Sequence, residues 1–171
     1  FADYLFVHEF AHHFAGLADE YYTSPVAYEP PDRIVEPWAA NASATADRAG
    51  VKWRDLLAPG ISVPTPWPKD QFEALSTAFQ VRRARIRADK RPESEMTALF
   101  REELQAMTKL LSSAEHSGQV GVFQGANYDA KAFYRPQVDC IMFTRDKVPF
   151  CRVCQRALAA VIDRHAARAA P

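Results

Sequence analysis

The chain has 171 residues, a length that suits one domain, and its 48% hydrophobic and 25% charged content is that of a globular protein. Its 21 basic and 21 acidic side chains cancel, which removes any global electrostatic case for nucleic acid or an anionic lipid surface as partner. No apolar run approaches the roughly eighteen residues that a membrane span needs, so no spanning helix is expected.

Residues 2–16, ADYLFVHEFAHHFAG, hold no proline and stop at Gly16, which predicts a helix with a glycine C-terminus. The segment is apolar nearly all round, so this helix is expected to be buried. From Tyr21 to about Pro68 come eight of the 12 prolines, with Trp38, Trp53 and Trp67 among them. That density excludes long helices and predicts an ordered irregular segment pinned by its aromatics. Residues 70–113 then carry apolar side chains at helical spacing: Phe72, Leu75, Phe79 and Ile86, followed by Met96, Leu99, Leu104, Met107 and Leu111. Pro92 divides them into two helices of about twenty residues, most simply a hairpin whose two apolar stripes satisfy each other. A turn-rich stretch with Gly118, Gly121 and Gly125 leads to Pro136, and residues 151–169 predict a final Ala-rich helix.

The chemistry lies in the first helix. His8, Glu9 and His12 form HExxH, and residues four apart share a helix face, so both imidazoles can reach one metal ion with Glu9 beside it. A catalytic zinc needs three protein donors and an open fourth position. If the helix continued, residue 19 would stand about 10 Å beyond His12 along the axis, too far to share the ion. Gly16 lets the chain turn back, and Asp19, three residues later, is the expected third ligand, with Glu20 as the alternative. A non-catalytic alternative is a buried helix whose histidines bond locally. Tyr21 and Tyr22 follow the loop directly and either donate to a substrate carbonyl or pack the pocket wall.

The stretch HEFAHHFAGLADEYY resembles the zinc signature of the IgA peptidase family of metallopeptidases, and the likeness extends through EPWAANAS, VKWRDLL, VPTP, VGVFQGANYDAKAFYRPQVDCIM and FCRVCQRAL. It covers most of the chain outside residues 70–113. The resemblance implies a metzincin-like zinc endopeptidase of α+β class, with His8, His12 and Asp19 as ligands, Glu9 as general base, a protein or peptide as substrate, and Met142 in the turn beneath the metal. On residue type alone, a lone methionine is core filler. Two positions depart from the family pattern: Ala11 stands for a glycine and Gln124 for an acid. The resemblance further predicts one partial metallopeptidase domain over residues 1–171, interrupted by a helical-hairpin insertion at 70–113. Zinc helices of this type stand behind a twisted sheet, and few residues precede His8, so the sheet is expected from a longer parent chain. The competing reading is a non-catalytic or degenerate peptidase-like module acting in protein interaction. A secreted or extracytoplasmic location is expected from the resemblance and a possible disulfide.

Cys140, Cys151 and Cys154 all fall in the last third of the chain. A bond from Cys140 to Cys154, or alternatively to Cys151, would close a short loop worth about 3 kcal/mol in the chain-entropy model and clamp the Met142 turn to the last helix. A Cys151–Cys154 redox pair competes with it. A zinc knuckle with Cys140 third and His116 or His165 fourth is a weak alternative, because a lone CxxC lacks its second doublet. The basic run Arg82, Arg83, Arg85, Arg87, Lys90 and Arg91 reads as a solvated helix face, and Asn41-Ala42-Ser43 as a chance glycosylation sequon.

Overall fold

The computed structural model describes residues 2–23, 34–145 and 148–169. Among the described residues, four α-helices, a short 3₁₀ helix at Arg54–Leu56 and one two-stranded antiparallel sheet make a mixed α and β architecture. Helix α1 (Ala2–Ala15) ends as expected: Gly16 adopts φ +59° and donates its N–H to the His12 carbonyl at 3.0 Å. A Cβ at Gly16 would lie 2.3 Å from the Trp38 ring, so the turn needs glycine for space as well as for conformation.

The expectation that α1 is buried all round fails on one face. Tyr4, His8 and Ala11 point into the core, whereas Leu5, Phe6 and Phe10 are exposed, Phe6 at 71%. Phe6, Phe10 and Phe14 stack along that outer face, with centroid spacings of 6.2 and 4.9 Å. A helix against one core buries one stripe, and the opposite side stays open unless a second layer covers it.

The proline-rich segment is held by its aromatics. Trp53 is fully buried and donates Nε1–H to the Gly121 carbonyl at 2.6 Å, and Trp67 donates to the Gln124 carbonyl at 3.1 Å. Lys52 fastens the loop that carries Asn41, donating to the carbonyls of Ala39 and Ala42 at 2.7 Å.

Helices α2 (Lys69–Ala88) and α3 (Glu93–Ser112) meet across Pro92. Their apolar stripes do not only satisfy each other. Phe72, Met107 and Leu111 join the main core, where Phe72 packs at 5.0 Å from Phe143 and 6.1 Å from Tyr22. Aromatic rings too large for a two-helix interface find partners below it. Two members of the basic run pair across the helices, Arg82 with Glu102 and Arg83 with Glu103, each at 2.6 Å, and Arg83 is largely buried rather than on a solvated face.

Strands β1 (Phe123–Ala126) and β2 (Asp129–Arg135) form a hairpin with Ala126 opposite Asp129. The two turn residues, Asn127 and Tyr128, have φ of 50° and 65°, the type I′ geometry that matches strand twist. Ser43 adds a bridge to Tyr134 through bonds of 3.1 and 2.8 Å, which brings the Asn41 loop beside the hairpin. Helix α4 (Arg152–Ala169) packs on α1. Among the described residues no helix is long and apolar enough to cross a membrane.

Candidate metal centre

Helical spacing places the two histidines as the sequence predicts. His8 and His12 bring their Nε2 atoms to 3.1 Å, and Asp19 Oδ1 stands 2.9 Å from the first and 3.1 Å from the second. Donors about 2.0–2.1 Å from one tetrahedral zinc would be separated by about 3.3 Å, so this nearly equilateral triangle has the size an ion requires. The other ring nitrogens are engaged: His8 Nδ1 donates to the Ile141 carbonyl at 3.0 Å and His12 Nδ1 to the Leu17 carbonyl at 2.6 Å. A carbonyl oxygen only accepts, so each Nδ1 carries a proton, and in the neutral ring each Nε2 then presents a lone pair. Two lone pairs and a carboxylate oxygen at such separations repel one another unless a cation joins them. The donor set therefore fits a metal ion.

Asp19 is held from the far side. The Tyr128 hydroxyl donates a short hydrogen bond to Oδ2, and Tyr21 and Tyr128 hydroxyls meet at 3.1 Å. Burial works to raise the Asp19 carboxyl, but the adjacent His8 imidazole and the Tyr128 hydrogen bond outweigh it and hold it below the ordinary carboxylate range. The backbone is tied as well, with Asn127 N–H donating to the Asp19 carbonyl at 2.9 Å and Tyr128 N–H to Tyr21 at 3.1 Å. The hairpin turn thus braces the ligand loop. Tyr22, by contrast, packs between Phe72, Trp67 and Phe143 as a wall residue.

Asp19 and Glu20 diverge. Asp19 Oδ1 joins the imidazoles, while Glu20 is fully buried on the opposite side, where Asn41 Nδ2 donates to its Oε1 at 3.0 Å. Asn41 also receives the Ala18 N–H at 2.8 Å and donates to the Ala18 carbonyl at 2.9 Å. It is fully buried, which rules it out as a glycan acceptor and makes it the clamp of the loop.

The turn at residues 140–144 supports both sides. Its Ile141 carbonyl orients His8, its Met142 carbonyl accepts the Glu20 N–H at 2.8 Å, and the Met142 side chain is fully buried. Arg135 passes beneath, fully buried between the rings of Trp67 and Phe143 at 4.1 and 3.8 Å, and donates to the carbonyls of Gly125 and Val138 at 2.8 and 3.1 Å. Burial lowers its pKa to about 10, so it stays charged at neutral pH.

Glu9 is exposed, on the adjoining face of α1. A cavity of about 250 Å³ opens onto His8, Glu9 and Tyr21, with Phe72, Arg83, Glu103 and Met107 of the helix pair on its far wall. Residues 70–113 therefore wall the space in front of the general-base candidate. Gln124, where an acid was expected, bonds across the hairpin to the Lys131 carbonyl at 3.1 Å.

The disulfide expectation needs correction. Cys140, Cys151 and Cys154 are buried free thiols, and the Cys140–Cys154 sulfur separation is 3.9 Å, nearly twice a disulfide bond. A Cys151–Cys154 bond is likewise not formed, and the disulfide lends no support to an extracytoplasmic location. Backbone N–H groups and the Glu20 carboxyl surround the sulfurs, so they gather about a common point rather than in a pair. Neither His116 nor His165 joins them. Sequence reading missed Asn41, Tyr128 and the inward turn of Glu20. The first was hidden behind a sequon and the others sit in motifs whose residues meet only through the hairpin and the turn.

Residues 1–162 match the family model described as IgA Peptidase M64, a family of peptidases. No curated protein matches the chain.

Proposed function

We propose that this chain, which belongs to the IgA peptidase M64 family, carries the catalytic centre of a zinc endopeptidase acting on protein or peptide substrates. The observation that carries the reading is the Nε2–Nε2–Oδ1 triangle, with both Nδ1 protons already committed to carbonyls. Three protein donors leave a fourth position open, as hydrolysis needs. Zinc bound by His8, His12 and Asp19 supplies Lewis acidity toward the scissile carbonyl and lowers the pKa of water toward about 7. Glu9, one residue after His8 and exposed at the cavity, accepts the proton of the attacking water and returns it to the leaving amine. Tyr128 fixes Asp19 so that one oxygen keeps facing the imidazoles. The cavity between Tyr21 and the helix pair is where a substrate side chain would lie. The exposed Leu5, Phe6 and Phe10 face is where the sheet of a longer parent chain would pack.

The test is Glu9→Gln in the full-length protein, assayed for bound zinc and for peptide hydrolysis. The amide keeps the shape and cannot take the proton, so turnover should fall about 10²- to 10⁴-fold with zinc unchanged. Near-normal turnover with zinc in place would move the base elsewhere.

A further inference from the structure

We propose that Glu20, Cys140, Cys151 and Cys154 are the four ligands of a second zinc ion, a structural one, set behind the His8–His12–Asp19 group. The four donor atoms lie within 4.8 Å of one another, and all four residues are buried. They come from three separate segments: the ligand loop, the turn before Met142 and the entry to α4.

The spacing discriminates between a metal site and a disulfide. Two sulfurs each about 2.3 Å from a tetrahedral zinc stand about 3.8 Å apart, and a sulfur and a carboxylate oxygen about 3.5 Å. The Cys140 and Cys154 sulfurs are 3.9 Å apart, and Glu20 Oε1 is 3.3 Å from Cys154 and 3.8 Å from Cys151. A disulfide would have to draw two of these sulfurs to about 2.05 Å and leave a thiol and a carboxyl stranded.

Three further observations concern the ligand state. Glu20 is fully buried, yet its Oε2 has no hydrogen-bond partner, an arrangement that is costly for a carboxyl group with nothing else to satisfy it. Backbone N–H groups aim at the sulfurs: Met142 and Cys151 toward Cys140 at 3.5 and 3.2 Å, and Cys154 toward Cys151 at 3.4 Å. Such N–H donors stabilise thiolate ligands, the form that binds metal. The charge of three thiolates and a carboxylate exceeds that of one divalent ion, and the buried guanidinium of Arg135 acts on Glu20 and Cys140 to offset part of the surplus.

Soft thiolate donors favour zinc over calcium or magnesium, and four protein donors away from solvent leave no position for water or substrate. The ion is therefore structural. It ties the residue beside Asp19 to the Met142 turn and the start of α4. The lone CxxC finds its missing half in Cys140 and in a glutamate 131 residues before Cys151.

Zinc content of the full-length protein, measured together with alkylation of the native protein, tests this. About two zinc ions per chain are expected, with all three cysteines protected from alkylation until zinc is removed. His12→Ala should retain about one, and its cobalt-substituted form should show thiolate-to-cobalt charge-transfer absorption, a readout independent of whether any cysteine variant folds. Cys154→Ser should lose that ion and weaken zinc at the histidine group about 10- to 100-fold. A wild-type protein with about one zinc and three freely alkylated cysteines, or peptide mapping that finds Cys140 disulfide-bonded, overturns the proposal. So does cobalt-loaded His12→Ala without the thiolate band.

Discussion

Two neighbouring carboxylates divide this molecule. Asp19 turns toward two imidazoles at the edge of a cavity, whereas Glu20 turns into the core toward three thiols. The first group has three donors, two imidazole nitrogens and one carboxylate oxygen, with the half-buried His12 and an exposed Glu9 beside it. The second has four donors, mostly sulfur, all buried. On the proposed reading, the difference is that between a centre that admits a reactant and one that excludes it. A single peptide unit separates them, so each can position the other.

Arg135 offers the hardest way to break the comparison, because it lies under the closed half. Arg135→Met removes donors from buried carbonyls and a cation from a thiol- and carboxyl-rich core. Urea unfolding should show a stability loss of about 3 kcal/mol with an unchanged slope. A loss near zero would mean that the edge-to-face rings of Trp67 and Phe143 hold the turn without it.

Asn41 belongs to both halves, since its amide binds Ala18 on one side and Glu20 on the other. Asn41→Ala should therefore weaken zinc binding at both groups about 10- to 100-fold, read by competition with a chromogenic chelator. An effect confined to the histidine group would remove Glu20 from the shared framework.

Tyr128 sharpens the contrast with the smallest expected effect. Its hydroxyl donates to Asp19 and meets Tyr21, and with the Asp19 backbone still tied to the hairpin, Tyr128→Phe should lower zinc affinity at the histidine group by no more than about tenfold. The thiol group should be unchanged by the same chelator titration. Equal loss at both would show that the hairpin turn, not the hydroxyl, sets Asp19.

These two halves were also unequally legible in the sequence. HExxH and Gly16 fall within nine residues, so helical period and one left-handed glycine sufficed to predict the paired imidazoles and the turn that follows them. The helix pair followed from its apolar spacing, with Pro92 marking the break, and α4 from its composition. The closed group was legible only in part: its three cysteines were weighed as a weak knuckle, but the fourth donor was sought in His116 or His165, because Glu20 lies more than a hundred residues from the cysteines. Nor was the hairpin: its type I′ turn is Asn127-Tyr128 rather than the Asn-Gly that advertises such turns, and β1 has only four residues. The burial of α1 was misjudged because composition counts apolar residues without saying how many layers will cover them. The third-ligand alternative, Asp19 or Glu20, turned on the direction of two adjacent side chains, which Asn41 and Tyr128 set from distant segments.

Anomalous diffraction at the zinc edge, from crystals of the full-length protein grown with zinc, tests the central claim most directly. A peak bonded to His8 Nε2, His12 Nε2 and one Asp19 oxygen at about 2.0–2.2 Å, with no fourth protein ligand and Glu9 within reach of its open side, is the predicted result. No peak at that triangle, or one closed by a fourth protein donor, would contradict it.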